Sequence, residues 1–228
     1  MADLYHPPNR LRRRTQRTRA ALIAAAQHFI AAGTLSVSIQ DISRAADVGV
    51  GSFYIHFDTK DELFAAAMND ILDTHGALLD SLTASIDDPA ERFAFSFRLT
   101  GRMFRQPESR IFLNYGLGLL SADRGLAPRA LRDIAAAAAA DRLAVADPHL
   151  AMVVAAGMLL GLGELLHAEP GRDAAQSTDQ IAEDLLKMFG MSVDEARRIC
   201  SMPLVVDALS QLLAAVRLPA SRGFAELT

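Results

Sequence analysis

The chain has 228 residues, of which 51% are hydrophobic, so it can bury the core of one or two domains. Aromatic residues make up 6%, tryptophan is absent, and alternating polar and apolar stretches are rare, which argues against a β-sandwich or barrel. The single cysteine excludes an intramolecular disulfide, and the basic N-terminal residues lack the apolar stretch of a secretory signal. We therefore expect an all-α protein of the cytoplasm.

The net charge of −4 is unevenly distributed along the chain. Residues 1–60 contain eight basic and four acidic residues, whereas the remaining 168 contain 15 basic and 23 acidic residues. This split is expected when a segment that binds a polyanion precedes a separate regulatory or assembly domain. The alternative is a solvated charged tail ahead of an ordinary domain.

The basic quarter contains two helix signals. Apolar residues recur at helical spacing over residues 18–33, and Gly33 supplies a C-terminal stop for the first helix. We expect the arginines that precede residue 18 to form a flexible arm that tracks phosphates or enters a minor groove. Ser38 and Asp41 are spaced as a capping box, which predicts a short second helix.

A tight turn joins the second predicted helix to a third. The turn is Asp47-Val48-Gly49, and residues 50–56 are long enough for two helical turns. Thr59 and Glu62 then form a capping box, which predicts a fourth helix of about six turns. Two short helices separated by a turn of about four residues are typical of a helix-turn-helix unit.

The residues around this turn resemble the DNA-binding signature of the TetR family of transcriptional regulators. The pattern that carries the resemblance is Gly51-Ser52-Phe53-Tyr54-x-His56-Phe57-x-x-Lys60-x-x-Leu63, and the similarity extends over about residues 15–64. Two positions depart from the family pattern. Asp47 stands where the turn usually has Gly, and Gly49 stands where the recognition helix usually has a Ser or Thr cap. Asp tolerates a left-handed backbone and Gly is an acceptable N-cap, so we expect the fold to persist without one of the family's hydroxyl-to-phosphate hydrogen bonds.

The resemblance implies that the third helix enters a DNA major groove, where small residues permit a close approach. We expect Phe53 and Phe57 to pack inward. We expect the phenol of Tyr54, the imidazole of His56 and the cation of Lys60 to contact phosphates. The residues left to read bases, through an amide, a hydroxyl and apolar groups, are Gln40, Ser52, Val50 and Ile55. The alternatives are that the phenol and the imidazole cover the core rim, and that the cations are simply solvated. The predicted DNA-binding residues are Arg10, Arg12, Arg13, Arg14, Ser38, Gln40, Gly49, Val50, Ser52, Tyr54, Ile55, His56 and Lys60.

Beyond residue 85 the sequence predicts a larger, all-helical domain for ligand binding and dimerisation. Helix starts are predicted at Asp88-Pro89, Pro128, Asp147-Pro148, Ser177, Ser192 and Pro203. The predicted segments are a basic arm over residues 1–14, a helix-turn-helix domain over 15–64, a regulatory domain over 65–218 and a tail over 219–228. Residues 151–166 are strongly apolar but shorter than the roughly 20 residues that a bilayer requires, so we expect a buried helix and no membrane partner.

Two features of this domain bear on function. Small residues one turn apart would let two helices approach closely, as at a dimer interface, although tight packing inside one monomer is the alternative. The predicted interface residues are Ala156, Gly157, Gly161 and Leu165. An aromatic cluster with Met103 and Met152 nearby is either plain core or the wall of an apolar cavity, and the family resemblance implies an inducer site there. The predicted ligand-binding residues are His75, Phe93, Phe97, Phe104, Phe112, Asn114, Tyr115 and Met158.

An enzyme is disfavoured by the motifs of the chain. It has no glycine-rich phosphate loop and no Gly-x-Ser-x-Gly motif, and its six histidines never pair at the spacing of a helical metal site. We therefore expect no metal and no cofactor. The sequence predicts a DNA-binding regulator, a homodimeric repressor that a small, mostly apolar inducer releases from double-stranded operator DNA. The alternatives are a ligand-independent DNA-binding protein or an enzyme with an unrecognised helical site.

Overall fold

The computed structural model describes residues 10–34, 36–105, 109, 113 and 125–204. These residues form nine α-helices and no strand, which confirms the all-α prediction. They divide into two compact units between Met68 and Asn69. Most of the last predicted helix and three of the predicted ligand-binding residues (Phe112, Asn114 and Tyr115) lie outside the described residues.

The first unit contains α1 (Arg10–Ala31), α2 (Ile39–Ala45), α3 (Val50–Tyr54) and the beginning of α4 (Lys60–Thr83). The start of α1 corrects the prediction, because residues 10–17 form its first two turns and not a flexible arm. Arginine is a good helix former, but these turns are exposed and carry no apolar stripe. A prediction from apolar periodicity therefore places the helix start too late.

Side-chain caps begin two of these helices as predicted. The Ser38 Oγ accepts a hydrogen bond from the Asp41 backbone N–H at 3.1 Å, and the Thr59 Oγ1 accepts one from the Glu62 N–H at 3.1 Å. The turn before α3 contains Asp47 in the left-handed region, with φ +54°, so an aspartate does take the conformation that favours glycine. Local chemistry thus determines where the helices of the first unit begin.

The second unit contains the rest of α4 and five further helices. These are α5 (Pro89–Met103), α6 (Leu126–Ala139), α7 (Pro148–Ala168), α8 (Ala174–Met188) and α9 (Val193–Ser201). Asp88, Asp147 and Ser192 cap their helices as predicted. The predicted cap at Ser177 is wrong, because the Asp173 side chain accepts from the Gln176 N–H at 2.9 Å and starts α8 one turn earlier. Ser and Asp are nearly equal as caps, so residue type alone cannot choose between them.

Helix α5 packs against α6, α7, α8 and α9. Arg98 on α5 is 3% exposed, and its guanidinium donates to Asp179 Oδ1 at 2.8 Å and to the Met202 carbonyl at 2.9 Å. Arg102 reaches the same carboxylate at 2.7 Å. These bonds connect α5 to α8 and to the end of α9, because a buried cation needs an anion and several acceptors around it.

Helix α7 has 21 residues, a mean hydropathy of 1.8 and one third of its apolar window buried. Among the described residues it is the one helix that length and composition would allow to cross a membrane. The prediction of a buried helix is therefore wrong for one of its faces. Apolar composition alone does not distinguish burial inside the chain from a face that another molecule covers.

Candidate DNA interface and ligand cavity

Two buried aromatic rings hold α3 in the first unit. Phe53 and Phe57 are 0% and 2% exposed, and their ring centroids are 6.0 Å apart. The guanidinium carbon of Arg19 on α1 lies 5.1 Å from the Phe57 ring centroid, a cation–π distance. The prediction that both rings pack inward is confirmed, and their burial fixes which face of α3 is turned to solvent.

The exposed face of α3 is apolar. Val50, Tyr54 and Ile55 are 41%, 57% and 74% exposed. They are the only large hydrophobic residues exposed among the described residues of the first unit. Scattered exposed apolar residues need no explanation, but three within six residues form a patch.

Two glycines lie next to this patch, although the fold does not require glycine at either position. A Cβ atom added at Gly49 or Gly51 would meet nothing within 4 Å, and the φ of Gly49 is −71°, which any residue adopts. Glycine inside a helix costs about 0.5–1 kcal/mol relative to alanine. Both glycines leave open space beside the exposed face of α3.

The predicted phosphate contacts lie around the same helices. Arg12, Arg13 and Arg14 are exposed on α1 and form no ion pair with any described residue, whereas nothing is described of the Arg10 side chain. The Lys60 Nζ donates to the Val37 carbonyl at 3.2 Å. This bond brings the start of α4 next to the residue that precedes the N-cap of α2.

The other predicted DNA-binding residues of this unit differ in how far they are engaged. The Ser38 hydroxyl is committed to the α2 cap, since it also donates to Asp41 Oδ2 at 2.5 Å. Gln40 is exposed in the first turn of α2, and Ser52 and His56 are half-buried. Thus Gln40 is the one long amide side chain that these turns present to solvent.

The second unit encloses a cavity of about 110 Å³ between α4, α5, α6 and α7. Four of the eight predicted ligand-binding residues line it: His75, Phe93, Phe97 and Phe104. Sequence reasoning did not assign several other wall residues to the site, and these include Thr100, Arg129, Asp133, Ala155 and Leu159. The wall is mainly apolar with a few polar groups, as is common for small-molecule sites.

His75 is a buried titratable group in this wall. It is 1% exposed, and its Nε2 lies 3.3 Å from the Thr100 Oγ1. Burial lowers the pKa of His75 to about 4, and the neighbouring Arg129 cation contributes to the same shift. The imidazole is therefore neutral near pH 7.

Both charged residues of the wall already have partners. Arg129 Nε donates to Asp80 Oδ2 at 2.7 Å, and Asp133 accepts from Arg92 Nε and Arg132 Nε at 3.0 Å each. The charged groups of the cavity wall are therefore compensated within the protein.

Two residues of α7 have surroundings that differ from their predicted roles, which were the dimer interface for Ala156 and the ligand site for Met158. Ala156 is half-buried in the cavity wall, and Met158 packs against the hydrophobic core cluster. The opposite face of α7 exposes Leu150 at 65%, Val153 at 49% and Leu165 at 37%. Between them, Gly157 and Gly161 face open space, since a Cβ at either would meet nothing within 4 Å.

Two family descriptions match the chain. Residues 21–67 match "Bacterial regulatory proteins, tetR family", and residues 88–202 match "Tetracyclin repressor-like, C-terminal domain". The second match alone spans half of the chain. The chain belongs to the TetR family. It is a DNA-binding transcriptional regulator of the ligand-responsive repressor type, as the sequence predicts.

Solved structures of other regulators share this architecture. RolR in complex with resorcinol is 30% identical to this chain, and its TM-score is 0.69 over 85% of this chain and 98% of RolR. RolR without ligand gives 30% identity and a TM-score of 0.70, over 82% of this chain and 98% of RolR. A Clostridium perfringens protein described as a fatty acid metabolism regulator shares the fold at 18% identity. Its TM-score is 0.54, over 73% of this chain and 97% of that protein. Among curated proteins, no sequence matches significantly.

One residue of the cavity wall that the sequence analysis did not assign to the ligand site nevertheless had a signal in the sequence. Thr100 follows Phe93 and Phe97 at helical spacing, so the aromatic stripe already included it. Arg129 and Asp133 are also one turn apart, but acid and base pairs at this spacing are common on exposed helix faces. Only the packing of α6 shows that Asp133 is 2% exposed and borders a cavity.

Proposed function

We propose that this protein is a cytoplasmic homodimer that leaves its operator when a small, neutral, mostly apolar aromatic compound enters the cavity of the second unit. The observation that carries this proposal is the cavity itself, which is lined by aromatic rings and a few polar groups. A ligand-independent DNA-binding protein would have no use for such a space. We propose binding without turnover, which fits a family of transcription regulators.

The charges around the cavity support a neutral ligand. Arg129 and Asp133 are both paired within the protein, so a charged ligand would enter an apolar space without a counter-ion. A hydroxylated aromatic ring would place its apolar body against Phe93 and Phe97 and its hydroxyl near His75 or Thr100. RolR, with 30% identity, was solved with a ligand of this kind, resorcinol.

The ligand assignment is tested by filling the cavity. Ala155→Leu adds bulk to the wall, so it is expected to abolish the release of an operator duplex by resorcinol and related phenols while leaving operator affinity without ligand unchanged. The control is Ala168→Leu, the same change at an exposed position of α7. Release that persists in Ala155→Leu would remove the cavity as the inducer site.

The exposed face of α7 supports the homodimer. Members of this family are soluble, so we expect another protein surface, and not lipid, to pack against this apolar face. Leu150, Val153, Val154 and Leu165 supply apolar area, and the two open glycines let a second backbone approach. Specific binding also requires two helix-turn-helix units, because a recognition helix of less than two turns contacts few base pairs.

The dimer is tested by adding bulk to this face. Gly157→Leu and Gly161→Leu are expected to yield a monomer or an aggregate by light scattering. Gly171→Leu is the matched control, because Gly171 also faces open space but lies outside α7. An intact dimer in both α7 variants would exclude this face as the interface.

A further inference from the structure

We propose that α3 and its C-cap residue Ile55 read the operator through the methyl groups of thymine, which Ile55 and Val50 contact in the major groove. The proposal rests on the DNA-binding function of the helix-turn-helix unit and adds the chemical feature of the DNA that is read. It is carried by the composition, exposure and register of residues 49–55, which are α3 with its N-cap and C-cap.

Residues 49–55 contain no side chain that can form a bidentate pair with a base. Such pairs use Arg or Lys for guanine and Asn or Gln for adenine, and the segment reads Gly-Val-Gly-Ser-Phe-Tyr-Ile. Its polar groups are a half-buried serine hydroxyl and a tyrosine phenol. Hydrogen bonding from α3 therefore distinguishes few base pairs.

The helical register places the apolar side chains on one face. Val50 and Tyr54 are separated by four residues, as are Gly51 and Ile55, so the four positions form a contiguous surface. Phe53 points into the core at 0% exposure, which turns this surface to solvent. Ile55 is the most exposed of the group at 74%.

Gly51 lies one turn before Ile55, where a side chain would hold the DNA away. The protein leaves open space at that position. A major groove about 12 Å wide admits an α-helix, and the clearance at Gly51 would let the branched side chain of Ile55 reach the base edges.

Thymine is the base that offers an apolar group in the major groove. Its C5 methyl distinguishes T·A from the other pairs by contact with aliphatic side chains. Burying one such methyl group corresponds to about a fourfold change in affinity at about 0.8 kcal/mol per group. Summed over several positions, this contact gives sequence preference without long polar side chains on α3.

The test uses the full-length protein and an operator duplex selected from a random-sequence pool. Each thymine is replaced in turn by deoxyuridine, which removes the methyl and keeps the base pair, and the dissociation constant is measured at one fixed salt concentration. We expect at least one thymine in each bound half-site at which the replacement weakens binding about fourfold. Placing 5-methylcytosine rather than cytosine at that position is expected to recover a similar factor.

Variants assign the contact to its residue. In Ile55→Ala or Val50→Ala the deoxyuridine penalty is expected to disappear at the position that the residue reads, because the shortened side chain no longer touches the methyl group that deoxyuridine omits. Both residues are exposed, so neither change should lower thermal stability, which unfolding scans verify. Val193→Ala, the same kind of truncation at an exposed valine of the second unit, is the matched control and is expected to keep the penalty.

Two outcomes overturn the proposal. One is tight, salt-dependent binding with no deoxyuridine penalty at any thymine, which would leave the DNA-binding function standing. The other is a penalty that stays the same in both alanine variants, which would place the methyl contact on another residue.

Discussion

In the first unit, Arg12, Arg13 and Arg14 are exposed and form no ion pair with a described residue, whereas several arginines of the second unit are bound to carboxylates. Arg98 reaches Asp179 at 2.8 Å, and Arg142 reaches Asp88 and Glu195 at 2.7 Å each. The same residue type therefore serves two purposes. Where no internal anion is supplied, the cation is available to a polyanion, and where one is supplied, it holds helices together.

The largest expected effect tests the unpaired cations. If six to ten phosphates are contacted, raising salt from 50 to 200 mM should weaken operator binding by a factor on the order of 10³–10⁵. Changing Arg12, Arg13 and Arg14 together to alanine should reduce the slope of log affinity against log salt by about 0.9 for each phosphate that is no longer neutralised. Fluorescence anisotropy titrations at several salt concentrations measure both quantities.

The control for this slope is Arg172→Ala, which removes a cation that is paired with Glu169 in the second unit. It should leave the salt dependence unchanged. An equal slope in the wild type and the triple variant would show that these three arginines do not contact phosphate.

The paired cations are tested by Asp179→Asn. This change leaves the buried Arg98 without its counter-ion, so the free energy of unfolding should fall by about 3 kcal/mol in a denaturant titration. Glu169→Gln breaks the exposed pair with Arg172 and should cost less than about 1 kcal/mol. Similar small costs for both variants would mean that the Arg98 pair does not stabilise the second unit.

The pH dependence of stability tests the buried imidazole of the second unit. Because the folded pKa of His75 is about 4 and its ordinary value is about 6.5, the unfolded chain binds a proton that the folded chain does not. The free energy of unfolding should therefore fall as pH drops from about 6.5 to 4, by roughly 3 kcal/mol.

Replacing His75 by Gln removes this contribution. Between pH 7 and pH 4 the free energy of unfolding of the wild type should fall by that amount relative to that of His75→Gln. Denaturant titrations at both pH values measure this change. His149→Gln, at an exposed histidine, provides the matched comparison. A difference that does not vary with pH would contradict a neutral, buried His75.

The smallest expected effect concerns Gly51 in the first unit. Gly51→Ala should raise the free energy of unfolding by about 0.5–1 kcal/mol, since alanine favours the helix and the added Cβ meets no protein atom. The same change should weaken operator binding because it fills the clearance for DNA. Gly33→Ala should instead destabilise the unit, because Gly33 has φ +68°. Undiminished operator affinity in Gly51→Ala would show that DNA does not approach there.

The first unit was largely predictable because its signals are local. The caps at Ser38 and Thr59 and the turn at Asp47 each depend on residues within a few positions, whereas the inward packing of Phe53 and Phe57 was expected from the family resemblance. Such signals survive in a one-dimensional sequence. The exception is the start of α1, since exposed arginine turns carry no pattern that separates helix from arm.

The cavity was only half predictable because its wall is assembled from helices far apart in the chain. The aromatic stripe of α5 identified Phe93 and Phe97, but Asp133 joins the wall through the packing of α6. The pairing of the charged wall residues was not visible in the sequence, since their ion pairs join residues about 40 to 50 positions apart.

The sequence by itself determined the helix-turn-helix unit, the basic character of the first quarter and most helix starts, because hydrogen bonds between near neighbours decide them. Only the tertiary structure decided which face of α7 is buried. Its residues are apolar on nearly every side, so composition could not separate the cavity-facing Ala156 from the exposed Gly157. That separation depends on which side of α7 the rest of the second unit occupies, and it leaves the opposite face exposed.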